Sequence, residues 1–393
     1  MSCSVEVLYC IVMYVDNCSC AVLIALSIVF VSTVAMISVE IPRSQIPLDV
    51  LLAEILPPDA LPPPSGFEEI GHVIHLNLRA QHLPYRNQIG KILLKKFGPE
   101  NGGRIRSVVN KVGEVGGPFR TFEFEVIAGN DDDFNIELVE DGTQLNFDMR
   151  NVYWCSRLAG ERKRMLEQEF FEGQVIADAF CGVGALIVTA AKKLGCKVIA
   201  NDLNPDAVKY VKQNAEHNLI PSENFHVECG DARDFIRSLG TKGKALPDHL
   251  ILNFPLDSCS FLDQLRWWPS NGYVETLVHV YTFARSDSET DRSQETVAVD
   301  MIADNLLPEG GYSEKTKNRQ DELDKLGCMI RVHEVRDVAP GKVVLCVSFK
   351  ATGLLIKHMQ GEFIPRSYQA KAYKAKSYHF MNRERARMKR NPK

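Results

Sequence analysis

Short apolar runs separated by helix-length amphipathic stretches fill the chain from residue 175 to residue 349. Runs beginning at Val175, Lys197, Phe225 and His249, and runs over 278–283, 330–335 and 343–349, have the length and bounding turn residues of strands. Residues 185–194 are largely apolar and read as a helix between the first two runs. Strands that alternate with helices predict a parallel sheet covered on both faces. Pro340-Gly341 turns the last two runs into a hairpin, which adds an antiparallel strand. The seven runs together predict a Rossmann-like α/β domain over 151–350. Residues 66–150 also alternate strand and helix patterns but hold no comparable glycine turn, so they read as a smaller α/β domain that positions a substrate.

The ends of the chain follow different patterns. Residues 46–65 hold a short apolar helix candidate followed by Leu61-Pro62-Pro63-Pro64-Ser65, a linker by composition. Residues 18–38 contain no charged residue, and 21–37 are long and apolar enough for a marginal membrane span. The first Lys or Arg is Arg43, however, so neither a secretory signal nor an Arg-rich presequence fits. Segment 1–65 is therefore read as a divergent amino-terminal segment and linker, in which residues 1–40 are a divergent buried segment or a gene-model artefact in preference to an anchor, and no membrane partner is expected. At the other end, 351–393 carries eleven Lys or Arg against two acids although the whole chain has a formal charge of −4. Tyr368, Tyr373, Tyr378 and Phe380 lie among these cations. Such a tail can neutralise phosphates and stack on bases, or it can be a solvated extension or import signal. Eleven cysteines follow no disulfide framework and include no Cys-x-x-Cys pair, which implies reduced thiols.

The densest chemical signal sits where the first strand meets the first helix. Asp178-Ala-Phe-Cys-Gly-Val-Gly184 closes the run Val175-Ile176-Ala177, and its two glycines let the backbone approach a ligand at a helix amino terminus. The second strand ends in Asp202, where doubly wound sheets place a ribose-binding carboxylate. A third glycine is missing, since Ile187 holds its place, and no phosphate loop occurs. An acidic residue ahead of the glycines suits a cation better than a pyrophosphate. S-adenosyl-L-methionine fits this set: Asp178 near its amine, Asp202 on its ribose, Asp231 near its adenine. The fourth strand ends in Asn253-Phe254-Pro255, so Asn253 is placed to touch the reacting groups. No metal-ligand spacing appears, and none is expected.

These residues, with others in the same order, resemble a known family. Gly71-His72-Val73-Ile74-His75-Leu76-Asn77-Leu78-Arg79, Val108-Val109-Asn110-Lys111, Phe119-Arg120, Val152-Tyr153-Trp154, Ser156-Arg157-Leu158 with Glu161-Arg162, Ala200-Asn201-Asp202-Leu203-Asn204-Pro205 and Asn253-Phe254-Pro255 are similar to segments of the tRNA (guanine-N1)-methyltransferases. That family modifies the guanine 3′ of the anticodon in eukaryotes and archaea. Cys181 stands where the family usually has alanine, and Phe254 where it has leucine.

The resemblance implies a class I S-adenosylmethionine-dependent methyltransferase fold preceded by a tRNA-positioning domain. It also implies formation of 1-methylguanine at position 37, which supports the reading frame and begins wybutosine synthesis in tRNA-Phe. It carries over Glu161 as general base, Arg120 as the group stabilising O6, and Asn253 as the residue orienting the guanine edge. It adds Arg162, Gly182, Gly184, Leu203 and Ala232 to the cofactor site, and implies a monomer in cytoplasm and nucleus, with the mitochondrial matrix a further compartment. Structural roles stand beside these. Glu161 fits a helix first turn, Arg120 can pair with Glu123 or Glu125, and Asn253 can cap the turn before Pro255. Exocyclic amino methyltransferases carry proline where this chain has Phe254, which favours a ring nitrogen as acceptor. Transfer of the aminocarboxypropyl group in the wybutosine pathway and catalytically silent tRNA binding are the alternatives.

Overall fold

A computed structural model describes residues 9–16, 19–26, 35–40, 45–113, 119, 121, 123–241, 245–271, 275–286, 292–307 and 319–361. In chain order, β1 (Tyr9–Asp16), β2 (Ser19–Leu26) and β3 (Ala35–Glu40) form an antiparallel sheet. The described parts of the uncharged stretch, 19–26 and 35–38, are thus strand, where a membrane span was the alternative to a divergent segment. Among the described residues no helix is long and apolar enough to cross a membrane.

α1 (Leu48–Ala53) precedes β4 (Phe67–Ile70), β5 (Val73–Leu76), α2 (Arg86–Phe97), β6 (Ser107–Lys111) and β7 (Phe124–Gly129). The four strands pair in the order β4-β5-β6-β7, with β5 and β6 parallel across the α2 crossover. Leu52, Leu56 and Ala60 are buried in one cluster with Ile74, Leu76, Ile89 and Leu93. The segment expected as a linker therefore belongs to this domain's core. Its prolines are tied in as well: the His82 ring nitrogen Nε2 lies 3.1 Å from both the Ala60 and Pro62 carbonyls. Composition suggested a linker because prolines remove donors, but here side chains serve the segment's acceptors.

The hairpin β8 (Asn135–Glu140) and β9 (Thr143–Asp148) follows, then α3 (Ala159–Arg164). Next come β10 (Val175–Asp178), α4 (Ala185–Leu194), β11 (Lys197–Asp202), α5 (Pro205–His217), β12 (Phe225–Cys229), α6 (Ala232–Leu239) and β13 (His249–Leu252). The chain continues as β14 (Glu275–Arg285), α7 (Gln294–Leu306), α8 (Arg319–Lys325), β15 (Arg331–Ala339), β16 (Lys342–Thr352) and α9 (Gly353–Gly361).

Two compact units result, the first comprising 1–171, 181–195 and 203–225, the second 172–180, 196–202 and 226–393. In the second, seven strands run in the order β12-β11-β10-β13-β14-β16-β15, with β16 antiparallel between β14 and β15. All seven expected strands are present. β13 is buried along its whole length, as a central parallel strand with both faces covered must be. A polar chain crosses this apolar interior. One placement of hydrogens satisfies it: His249 Nε2 donates to Gln174 Oε1 (3.0 Å), His279 Nε2 to His249 Nδ1 (3.0 Å), and the Ser348 hydroxyl to His279 Nδ1 (2.8 Å). The basic tail does not begin at residue 351. Ala351 is still in β16, and Leu355, Ile356 and Met359 of α9 are buried, so the cationic segment starts after Gly361 and lies outside the described residues.

In the first unit, α5 completes the open edge of β9 with side chains. Asn214 Oδ1 accepts from Asn146 N (2.8 Å), while Asn218 accepts from Gln144 N (3.1 Å) and donates to Gln144 O (2.7 Å).

Candidate functional site

The carboxyl ends of four neighbouring strands in the second unit carry the expected polar residues. β10 ends in Asp178 and β11 in Asp202. Their parallel register, Asp178 opposite Ala200, sets Asp202 two residues further along. Asp178 also pairs with Ile251, which places Asn253 just beyond the end of β13. Asn201, 1% exposed, ties the strand ends together by donating to Ala179 O (3.2 Å) and Gly230 O (3.1 Å). The sequence held this residue only as part of a motif; an amide preceding the ribose aspartate was the available signal.

Asp178 is the electrostatic centre of this edge. It is 4% exposed, accepts from Phe180 N (3.0 Å), and has no cation paired with it among the described residues. Burial pushes its carboxyl up to about 7; the Phe180 N–H works against that shift and the nearby Asp202 adds to it. Asp231 is exposed and caps α6 through a bond from Arg233 N (2.8 Å), with Ala232 buried behind it. A capping carboxylate keeps a second oxygen for a ligand.

Asn253 makes no side-chain hydrogen bond to another described residue. The capping role offered to it belongs to Ser258, a fully buried residue that sequence reading missed: its hydroxyl accepts from Phe254 N (2.9 Å) and donates to Leu252 O (2.7 Å). Phe254 stacks on Phe180 with ring centroids 5.2 Å apart, and Phe261 meets Phe180 edge-on at 5.2 Å. Phe254 therefore fills an aromatic cluster under the turn, and the half-buried Asn253 keeps its side-chain amide unengaged by the other described residues.

Within the first unit the glycines do different work. Gly182 has φ +54°, and a Cβ there would meet nothing within 4 Å, so it provides open space beside the backbone. Gly184 has φ +87°, and a Cβ would lie 2.5 Å from Val211 and 2.8 Å from Val188. It is fixed by the packing of α4 on α5. Asn214 Nδ2 holds the carbonyl of Val183 between them (2.9 Å). Leu203 is 38% exposed.

Glu161 lies in the first turn of α3 and is buried, with Arg164 Nε and Nη2 donating to its two oxygens at 2.7 and 2.8 Å. The turn before it is fixed by Glu68, which accepts from Ser156 N at 2.7 Å and from the Ser156 hydroxyl. Arg162 is engaged on both edges. It donates to both oxygens of Glu140 and lies over the Trp154 ring at 4.9 Å, so a bond to a cofactor carboxylate would require exchange of partners. Arg120 lies outside the described residues. Of its two offered partners, Glu125 already accepts from Arg86 (3.1 Å) and Asn110 (3.0 Å).

The donor set of the second unit is chemically compatible with S-adenosylmethionine: the buried Asp178 with no cation paired to it among the described residues, Asp202 at the end of β11, and Asp231 at the start of α6. Among the described residues no cluster can hold a metal ion. Asp202→Ala should cost a charge-assisted bond of roughly 1.5–3 kcal/mol, and so about tenfold or more in cofactor affinity, as read by calorimetry. Unchanged affinity in a folded variant would move the ribose away from β11.

Comparison with known proteins identifies the family. Residues 137–305 match the family model for the TRM5/TYW2 methyltransferase domain, and 48–132 match that for the TYW2 N-terminal domain. A protein named tRNA (guanine(37)-N(1))-methyltransferase 2 from Phaeodactylum tricornutum is 44% identical over 343 residues, covering 76% of this chain and 57% of its own. The Heterostelium pallidum tRNA (guanine(37)-N(1))-methyltransferase is 36% identical over 330 residues, covering 80% and 68%. The chain thus spans little more than half the length of the first of these relatives. Among solved structures, Trm5b of Pyrococcus abyssi shares the fold with a TM-score of 0.61 at 21% identity, covering 87% of this chain and 91% of its own.

Proposed function

The chain belongs to the TRM5/TYW2 methyltransferase family, and from that premise we propose that it transfers a methyl group from S-adenosylmethionine to N1 of guanine 37 in tRNA. The observation that carries the reading is the similarity to proteins named for this reaction, one of them matched over 68% of its length at 36% identity. When bound, S-adenosylmethionine supplies a methyl group on a sulfonium. Asp178 meets its cationic end, Asp202 its ribose and Asp231 its adenine side.

Guanine N1 holds a proton at neutral pH, and its lone pair is delocalised toward O6, so it needs a base before it can attack. Glu161 accepts that proton. Arg120 stabilises the charge that grows on O6, and Asn253 orients the guanine edge. The test is incubation with unmodified tRNA bearing guanine or adenine at position 37, followed by nucleoside mass spectrometry. 1-Methylguanosine from the guanine transcript alone supports the reading. The match of 48–132 to the TYW2 N-terminal domain favours one second reading, aminocarboxypropyl transfer, and the heavier adduct would reveal it. We place the reaction in cytoplasm and nucleus, with the mitochondrial matrix as a further site; fractionation of the tagged protein checks this.

The cationic tail is proposed to add tRNA affinity without base preference. Deleting everything after Pro365 removes ten Lys or Arg. Every phosphate that the shortened protein leaves unneutralised should flatten the slope of log affinity against log salt by roughly 0.7–0.9, with preference for guanine retained. An unchanged slope would leave tRNA docking to the domain before residue 150.

A further inference from the structure

α6 begins at Asp231, and one side chain of its first turn reaches the segment that follows Asn253. Arg233 N donates to Asp231 Oδ1 (2.8 Å) and so fixes the capping carboxylate. Its guanidinium leaves the helix for the 3₁₀ segment Ser258–Trp267, where Nη1 donates to Ser260 O (2.9 Å) and Asp263 Oδ1 (3.0 Å), and Nη2 to Ser260 Oγ (3.0 Å). The guanidinium carbon also lies over the Phe261 ring, 4.6 Å from its centroid. A planar fork whose face is stacked fixes a partner segment in more directions than a flexible ammonium can.

Two routes lead from this clamp to the turn after Asn253. Phe261, 5% exposed, meets Phe180 edge-on at 5.2 Å, and Phe180 stacks on Phe254, the neighbour of Asn253. The Ser260 hydroxyl accepts from Arg233 and donates to the Asp257 carboxylate. Asp257 N and Ser258 N both donate to Phe254 O at 2.9 Å, so the turn is held at its start by a ring and at its close by a carboxylate. Arg237, one helical turn further along α6, bonds the same 3₁₀ segment at Gln264 Oε1 (3.2 and 2.8 Å), toward the end away from Asn253. Trp268 Nε1 secures that end as well by donating to Ile236 O (2.8 Å). Docking of the segment on α6 therefore does not depend on Arg233 alone.

We propose that Arg233 is a positioning residue for methyl transfer, holding the turn that bears Asn253 fixed against the loop that bears Asp231. This rests on the reaction proposed above, in which Asn253 orients the guanine edge. Among the described residues no side chain bonds the Asn253 amide, so its aim is set by the backbone that carries it. That backbone is in turn set by the ring cluster and by Asp257, and both are tied to Arg233. A displacement of about 1 Å in a group that aligns a reactant can cost about 10²-fold in rate. The bond to Asp231 comes from the Arg233 main chain and survives any side-chain change. Loss of the guanidinium therefore loosens the acceptor side of the site and spares the cofactor side.

Two measurements on the full chain test this. In the ligand-free protein, Arg233→Met should speed hydrogen exchange at the amides of Phe254, Asp257 and Ser258 about tenfold or more, while exchange in β12 and β13 stays as in wild type. In single-turnover methylation at saturating cofactor and tRNA, the same variant should lose about tenfold or more in rate, with both dissociation constants within about twofold. Arg233→Lys should recover part of the loss, and Arg237→Met should leave rate and exchange within about twofold. In an Asn253→Ala background, Arg233→Met should cost little further, because the residue it positions is gone. A wild-type rate or unaltered exchange for Arg233→Met, an equal loss for Arg237→Met, or the same fractional loss in both backgrounds overturns the positioning role. If Arg233→Met fails to fold, Phe261→Leu carries the same comparisons. Absence of 1-methylguanosine with the wild-type protein overturns the reaction instead, and exchange then still reports whether Arg233 holds the turn.

Discussion

Glu161→Gln is expected to slow the single-turnover rate of methyl transfer by roughly 10²–10⁴ and to leave cofactor binding nearly intact. Glutamine keeps the shape of the side chain and can still accept from Arg164, but it cannot take the N1 proton. The loss should therefore appear in the chemical step. In the proposed site the cofactor is held by the strand ends of the second unit, where Asp178, Asp202 and Asp231 stand, and Glu161 is not among them. A single-turnover rate close to wild type in a folded variant would remove Glu161 from the mechanism. In that case the carboxylate would be left as the first-turn residue of α3 and a partner of Arg164.

The second large effect is a dependence on pH carried by Asp178. Its carboxyl is held up to about 7 by burial, against an ordinary value of 3.8. In the ligand-free protein it therefore keeps its proton to about pH 7, whereas the unfolded chain gives it up near 3.8. The folded state binds more protons through that window, so this group's contribution to stability is present below about 3.8 and is lost as pH rises to about 7. About three pH units at roughly 1.4 kcal/mol each set an upper bound of about 4 kcal/mol. Asp178→Asn should accordingly make the ligand-free protein more stable at pH 8 while leaving it little changed at pH 4, as denaturant midpoints would show. Binding runs the other way. A cationic ligand needs the carboxylate, so affinity for S-adenosylmethionine should fall toward tenfold per unit below pH 7. In Asp178→Asn it should be weaker and flat with pH. Calorimetry across pH 5.5–8.5 that showed a flat wild-type profile would mean that Asp178 faces no cation.

What the sequence revealed and what it hid have a common physical origin. The inner strands such as β13 and β14 were legible because strands covered on both faces are continuous apolar runs, and the carboxyl-end residues were legible because each lies at or just beyond the end of a strand. Asp178, Asp202, Asp231 and Asn253 fall where counting from the runs puts them. The buried ion pair of Arg164 Nη1 with Glu169 Oε1 (2.9 Å) was hidden because five residues is not a neighbour spacing in an α-helix, and nothing in Met165-Leu-Glu-Gln-Glu169 announces the π-turn those residues form. Residues 46–65 misled because prolines advertise a linker, while Leu52 and Leu56, four apart, quietly mark a packed face. Asn214 and Asn218 gave a usable signal that went unread: two amides at helical spacing, both buried. The capping role of Ser258 had no sequence signature beyond its distance from Leu252, and the turn geometry alone reveals it.

The chain of hydrogen bonds from Gln174 through His249 and His279 to Ser348 bears on how the sheet finds its pairing. β13, β14 and β16 are buried along nearly their whole length, so sliding one past another by two residues would still bury apolar side chains on both faces. Hydrophobicity alone barely distinguishes the slipped sheet from the native one. The imidazoles do, because each strand contributes one polar group and these groups meet only in the native alignment. A slip would strand buried nitrogens and oxygens at about 1–3 kcal/mol apiece. These polar side chains thus act as an alignment key, and because Ile251 lies two residues past His249 and pairs with Asp178, a slip of β13 would also shift Asn253 relative to Asp178.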